Sequence, residues 1–349
     1  MSSYVRHLPV YLLLDCSESM AGDAIEDLGR GLDMMLATLR SDPYAIETAL
    51  ISLITFSGDA RQDVALTEVL SFPRPKLKVR PGTALGAALR LVKRCIEREV
   101  ITTSQTTKGD YKPLVFLLTD GQPTDEWESV AKEIQSTKTP WGDNLIAIAC
   151  GPDADTDVLR RFSSSVFLMK DMAPEAWRKV MVWMTQSVQA RSHSVGHAPE
   201  GEAVQLPDPP ADALERAPAV AGTRDPSPRQ LFLHAWCSQD QKPYLMRFAR
   251  SPQSEKYIAV KAHPLEAVEV DPGQGQPQVN SSLLDGCPIC PYCGNTAAGS
   301  CDCGVLMCIP GSPELRRVKC PRCPRTALFA PGGGSGDLGG SFDITQAIG

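Results

Sequence analysis

Aromatic side chains are scarce, at 6% of the 349 residues, and there are only 5 histidines. Ahead of residue 191 the only histidine is His7, which precedes the first apolar run and has no acid–base partner in view. General acid–base catalysis through imidazole therefore has no evident seat. No G-x-G-x-x-G and no G-x-x-x-x-G-K-[ST] stands at a strand–helix turn, which removes the usual nucleotide cradles. An excess of positive charge is missing as well: the formal net charge is −6, no footprint for a nucleic acid. The longest apolar run, Leu145 to Cys150, is far too short to cross a bilayer. The opening residues show neither a charged n-region nor a small-residue cleavage site. These absences lead us to expect a cytoplasmic protein without a membrane span and without an enzymatic nucleophile–base pair.

Two things are present in quantity. The first is alternating periodicity over residues 1–190. Val10–Leu14, Ala49–Phe56, Leu114–Leu118, Leu145–Ala149 and Val166–Met169 are apolar runs of strand length, as in parallel strands covered on both faces. Between them, Ile25 to Leu39, Leu85 to Ile96, Trp127 to Ile134 and Ala176 to Val188 carry apolar residues at helical spacing. The expected fold is α/β, a doubly wound and mostly parallel sheet. Residues 191–229, rich in Pro, Ala and acid, are expected to be a flexible linker. Over 230–330 a smaller β-rich domain is expected, opening with a hairpin from Leu231–Trp236 and Tyr244–Phe248, with Tyr257–Lys261 as a third strand. Residues 331–349, with their glycine run, are expected to be a flexible tail.

The second is polar residues placed where strands end. Asp15-Cys-Ser-Glu-Ser19 follows the first strand, Pro81-Gly-Thr83 precedes the second long helix, and Thr119-Asp-Gly121 follows the strand 114–118. Ligand sites of open α/β sheets gather at this edge. Asp15, Ser17, Ser19, Thr83 and Asp120 together offer hydroxyls and carboxylates, the oxygen donors that Mg2+ or Mn2+ prefers. Asp and Ser are also common helix N-caps. Three separated segments converging on one edge favour the metal reading over capping alone.

Of the 12 cysteines, nine lie beyond residue 236. Cys287-Pro-Ile-Cys290-Pro-Tyr-Cys293 and Cys320-Pro-Arg-Cys323 are C-x-x-C turns of the kind that hold zinc, with Cys301, Cys303 and Cys308 between them. In a reducing compartment such crowding argues for metal rather than disulfides. One zinc on Cys290, Cys293, Cys320 and Cys323 is the first assignment. Cys287, Cys301, Cys303 and Cys308 suit a second, with His234 or Cys237 able to replace one of them. Arg316, Arg317, Lys319, Arg322 and Arg325 form a basic patch, but only Tyr292 lies near for stacking, so a solvated face is the expectation. A zinc ribbon that binds nucleic acid, regulated by the first domain, stands as the alternative.

The D-x-S-x-S, G-T and T-D-G segments, with Phe56-Ser57-Gly58 ending the second strand, resemble the metal-ion-dependent adhesion site of von Willebrand A domains. That resemblance implies Ser17, Ser19 and Thr83 as direct ligands, Asp15 and Asp120 acting mostly through water, and a partner protein's Asp or Glu completing the sphere. The order of this domain, a linker, a strand pair with His-Ala-Trp-Cys237 and a multi-cysteine domain is similar to the TerY-like family of bacterial tellurium-resistance and stress-response systems. The resemblance implies a non-catalytic adaptor working beside a Ser/Thr protein kinase and a 2C-type protein phosphatase. Two further expectations concern the edge site. Phosphate on Ser17, Ser19 or Thr83 would add charge and remove a neutral ligand. Asp343, carried on the tail, could occupy the site in place of a partner's acid.

Overall fold

The computed structural model describes residues 6–74, 76–103, 108–120, 122–136, 141–151, 154–194, 206–217, 230–251, 253–265, 278–310, 316–329 and 343–345. The chain divides into two compact units, with the break after Arg224.

The N-terminal unit is built on strands β1 (Leu8–Asp15), β2 (Ala49–Phe56), β3 (Ala60–Glu68), β4 (Leu114–Thr119), β5 (Leu145–Ala149), β6 (Ser165–Met169) and β7 (Leu214–Arg216). They form one sheet in the order β3-β2-β1-β4-β5-β6-β7. The pairs from β2 through β6 are parallel, and the two edge strands are antiparallel to their neighbours. Its helices are α1 (Asp23–Leu39), α2 (Pro43–Thr48), α3 (Leu85–Glu99), α4 (Glu128–Ser136), α5 (Thr156–Arg160) and α6 (Pro174–Ser194).

Alternation along β1 explains the two layers. Val10, Leu12 and Leu14 join Leu28, Leu32, Leu36, Trp177 and Trp183 in one core, which places α1 and α6 on that face. Tyr11 and Leu13 join Leu85, Leu89, Val92, Val130 and Leu159 in the other, with α3, α4 and α5 on that side. Every residue of β1 is buried, as a central parallel strand requires. The α/β doubly wound reading of the sequence is what the structure shows.

One expectation for this unit needs correction. The stretch 191–229 is not linker throughout. Helix α6 continues to Ser194, and residues 214–216 pair with Phe167, Leu168 and Met169 as the last strand of the sheet. Trp183 Nε1 donates to the Pro207 carbonyl (2.8 Å), and Ala213 and Leu214 are buried in the core. Few apolar residues in a proline-rich stretch sufficed because an existing hydrophobic edge received them. Strand β3 also has no apolar run to announce it, being an edge strand with polar residues outward.

The C-terminal unit holds β8 (Gln230–Trp236), β9 (Pro243–Arg250), β10 (Tyr257–Pro264), β11 (Gln278–Asn280), β12 (Leu284–Asp285), β13 (Ala297–Ser300), β14 (Leu306–Ile309), β15 (Arg316–Lys319), β16 (Thr326–Phe329) and β17 (Asp343–Thr345). Six of them make a sheet in the order β12-β10-β9-β8-β14-β13, and two small two-stranded sheets join β11 to β17 and β15 to β16. Residues 343–345 are therefore not a free tail. Ile344 is buried with Val279 in the core of this unit, and Asn280 Nδ2 donates to Asp343 Oδ1 at 2.8 Å. Asp343 has a strand position and a local partner within this unit.

Candidate metal centres

Strands β1, β2 and β4 run parallel and end side by side, so whatever follows each is delivered to one edge. Asp15 closes β1 opposite Phe56 of β2. It is wholly buried, and its two oxygens are held separately. Oδ1 accepts from the Ser17 amide (2.9 Å) and Oδ2 from the Thr119 hydroxyl (2.6 Å). Burial pushes the Asp15 carboxyl up to about 6, against the pull of those hydrogen bonds. The Ser17 and Ser19 hydroxyls lie 2.9 Å apart. Asp120, 8% exposed, accepts from the Gln122 amide at 3.1 Å. The Cys150 thiol is raised well above its ordinary value by burial first, then by the charges of Asp15 and Asp120. Two carboxylates thus converge on one apolar floor.

Thr83 arrives from the neighbouring loop. Gly82 has φ +86°, a left-handed conformation that favours glycine, and a Cβ there would stand 3.1 Å from Gly58 Cα. Ala84 donates to the Ser57 carbonyl at 2.5 Å, pinning the loop to the end of β2. The Thr83 hydroxyl is buried and, among the described residues, has no hydrogen-bond partner. An orphan of this kind ordinarily costs about 1–3 kcal/mol. A cation at this edge would satisfy it, and the donor set of hydroxyls backed by carboxylates suits a hard divalent ion. Ser17 and Thr83 are 0% exposed, so a kinase would reach either only after these loops open; Ser19 is half-buried.

Two residues at this edge escape a reading from spacing. Thr124 brackets Thr83, its hydroxyl accepting from the Thr83 amide and its amide donating to the Thr83 carbonyl, each at 2.9 Å. Asp125 accepts from the Gly86 amide (2.9 Å) and the Ala87 amide (2.8 Å), capping α3 from outside because the helix's own N-cap, Ala84, offers no side-chain acceptor. Their sole signal in sequence is Pro-Thr-Asp125 shortly after Thr-Asp-Gly121. The approach leaves no room at Gly86, where a Cβ would run into the Glu126 carbonyl. We expect Gly86→Ala to destabilise the protein by about 1–3 kcal/mol despite its better helix propensity. Urea unfolding would measure this, and an unchanged midpoint would refute it.

The thiols form two groups, and not those expected from spacing. Cys237, Cys290, Cys293 and Cys308 place their sulfurs within 4.8 Å of one another, as do Cys301, Cys303, Cys320 and Cys323. Strand alternation is the reason. On β14, Leu306 and Cys308 face the core of Leu231, Tyr244 and Phe248, whereas Met307 and Ile309 face that of Val318 and Cys320. The β13–β14 hairpin thereby gives Cys308 to one group, and Cys301 and Cys303, at its turn, to the other. The expected quartet of Cys290, Cys293, Cys320 and Cys323 is corrected, for these four divide between two groups. The second expected set is corrected too: Cys237 stands where Cys287 was placed, and neither Cys287 nor His234 belongs to either group.

The sulfurs are close, with Cys293–Cys308 at 3.5 Å, Cys303–Cys320 at 3.6 Å and Cys301–Cys323 at 3.7 Å. Burial pushes Cys301 up to about 12 and Cys290 to about 11 as free thiols. Cys308 goes the other way. Burial opposes its ionisation, but donors from Ser238 and Asn295 bring it below its ordinary value. Amides of Ser238 (3.3 Å), Asp240 (3.3 Å) and Arg322 (3.5 Å) point at Cys308, Cys237 and Cys320. Tetrahedral thiolate quartets with amide donors are the chemistry of structural zinc.

An oxygen-lined cation edge on a doubly wound sheet, joined to a thiol-rich metal-binding unit, defines the class of this protein. Residues 10–173 match the von Willebrand factor type A domain model, and residues 229–349 match the TerY-C metal binding domain model. Each of the two matches falls within one unit, the first in the N-terminal and the second in the C-terminal. No curated protein matches it. Among solved structures it is similar to proximal thread matrix protein 1 from the mussel byssus, at 14% identity and TM-score 0.37 over 53% of this chain and 48% of that one. The same mussel protein with a zinc-occupied MIDAS motif gives 16% and 0.37, over 55% and 47%. The pilus adhesin SpaC from Lactobacillus rhamnosus GG gives 14% and 0.43, over 54% and 30%. The chain thus spans less than half the length of each of these proteins. No helix among the described residues is long and apolar enough to cross a membrane.

Proposed function

We propose that this protein is a non-catalytic, metal-dependent adaptor. Its edge site takes Mg2+ or Mn2+ on the hydroxyls of Ser17, Ser19 and Thr83, with Asp15 and Asp120 behind them, and a carboxylate of a partner protein completes the coordination. The observation that carries this reading is the buried Thr83 hydroxyl, unpartnered among the described residues, on the loop pinned to the end of β2, with the buried carboxylates of Asp15 and Asp120 where β1 and β4 end. A metal-occupied MIDAS motif in the mussel byssus protein accords with it. Each thiol quartet takes one zinc, which serves folding. The likeness to TerY-like proteins points to a Ser/Thr kinase and a 2C-type phosphatase as partners in a bacterial tellurite or stress response.

Capture of partners from a lysate by the full, zinc-loaded chain, with and without added Mg2+ and with no chelator present, tests the reading. Capture that needs Mg2+, tolerates salt and disappears in Asp15→Asn supports it. Binding that ignores Mg2+ and instead falls steeply with salt on DNA or RNA would replace it with the nucleic-acid alternative.

A further inference from the structure

We propose that Thr124 and Asp125 are positioning residues of the cation site, a clamp through which the loop bearing Asp120 holds the loop bearing Thr83 in ligating geometry. The inference rests on the reading of the edge as a cation site and adds what keeps its donors in place. The residue after Thr83 has a short tie to the frame, the Ala84 amide on the Ser57 carbonyl. The Thr83 carbonyl also accepts from the Leu85 amide at 2.9 Å, and the ties that reach Thr83 from outside its own loop come from Thr124. Thr124 engages both the amide and the carbonyl of Thr83, so the peptide planes on either side of this residue are set by a segment four residues beyond Asp120. Asp125 spreads its two oxygens over the first amides of α3, Gly86 and Ala87. Arg90, one turn further along that helix, reaches Asp125 Oδ2 (3.3 Å) and the Glu126 carbonyl (3.0 Å). Gly86 lets the two backbones close on each other.

The geometry has a direction. Asp120 is anchored by the Asp155 amide on its carbonyl (2.6 Å) and by the Gln122 amide on its side chain. The clamp joins that anchored loop to a threonine whose hydroxyl has no hydrogen-bond partner among the described residues. Carboxylate and hydroxyl, from loops about 40 residues apart in sequence, then move as one body. Partners of metal ligands held in this way commonly change metal affinity by about 10–100-fold when removed. A helix cap without this role would alter stability alone.

Mn2+ affinity of the full, zinc-loaded chain separates the two, read by the loss of the free-ion electron paramagnetic resonance signal. The melting temperature of the same samples in the absence of Mn2+ is the companion measurement. We expect the double variant Thr124→Val/Asp125→Ala to bind Mn2+ about tenfold or more weakly. Thr124→Ser, which keeps the acceptor, should stay within about twofold of wild type. Retained affinity in the double variant would overturn the clamp while leaving the cation site standing. So would equal losses in Thr124→Ser and Thr124→Val, because the hydroxyl would then not be the operative group. If the wild-type chain binds no Mn2+, the cation reading fails and the clamp fails with it. If the double variant loses affinity only by losing its fold, its Mn2+-free melt will show it; Thr124→Val alone then decides, since the single exposed methyl-for-hydroxyl exchange leaves Asp125 capping α3.

Discussion

Stripping zinc from this protein with a strong chelator is expected to unfold the C-terminal unit and leave the N-terminal unit folded. The C-terminal core is small and eight of its cysteines are arranged around two points. Structural zinc contributes about 10–16 kcal/mol of apparent binding free energy in small domains. That is as large as the whole stability of an ordinary domain, about 5–15 kcal/mol. Without metal, nothing would tie the four thiols of each group to one another, nor hold β8, β14 and the two knuckles together. The units can be read separately, because of the 5 tryptophans only Trp236 lies beyond Arg224. We expect elemental analysis to find two zinc ions per chain, one per quartet. Cys293→Ser and Cys303→Ser should each lose metal, whereas Cys287→Ser should keep its full complement. Loss of zinc from Cys287→Ser, or a chelated chain whose Trp236 emission and near-ultraviolet dichroism stay native, would contradict the assignment.

At the other site the expected result is a divergence between stability and binding. Asp15→Asn should weaken Mn2+ binding by about 10–100-fold and abolish Mg2+-dependent capture of a partner. Without a divalent ion, the same variant should melt no lower than wild type. A carboxylate that is 0% exposed has given up its hydration, and its hydrogen bonds from Ser17 and Thr119 offset that only in part, as its upward displacement to about 6 shows. An amide of the same shape keeps an acceptor for the Ser17 amide and removes the buried charge. A residue whose charge strains the empty fold and serves the loaded one marks a ligand site rather than a structural pair. A drop in the metal-free melting temperature, with Mn2+ affinity intact, would make Asp15 a structural residue instead.

Much of this was written in local patterns. Apolar runs marked the five strands β1, β2, β4, β5 and β6, because a parallel strand buried on both faces needs no alternation. The oxygen donors of the edge site were readable because each follows or precedes such a run, so the fold itself brings Asp15, Thr83 and Asp120 near one edge. What was illegible depended on pairing. Leu214–Arg216 looks like linker until the exposed edge of β6 is there to receive it. The division of the thiols could not be taken from C-x-x-C spacing, since it is settled by which face of β14 Cys308 takes. Thr124 and Asp125 likewise have no meaning until α3 lies beside them with a cap missing.

Both margins of the seven-stranded sheet carry a consequence for how a partner can dock. On one side β7 is three residues long and ends in Glu215 and Arg216. On the other, β3 departs from regular register against β2 and carries Arg61, Gln62, Asp63 and Glu68. Short, charged or irregular margins discourage another chain from adding itself as an extra strand. On the proposed adaptor reading, recognition would fall to the loop rim where the strands end, and selectivity there would follow the charge and reach of one visiting side chain, not the length of a shared backbone ladder.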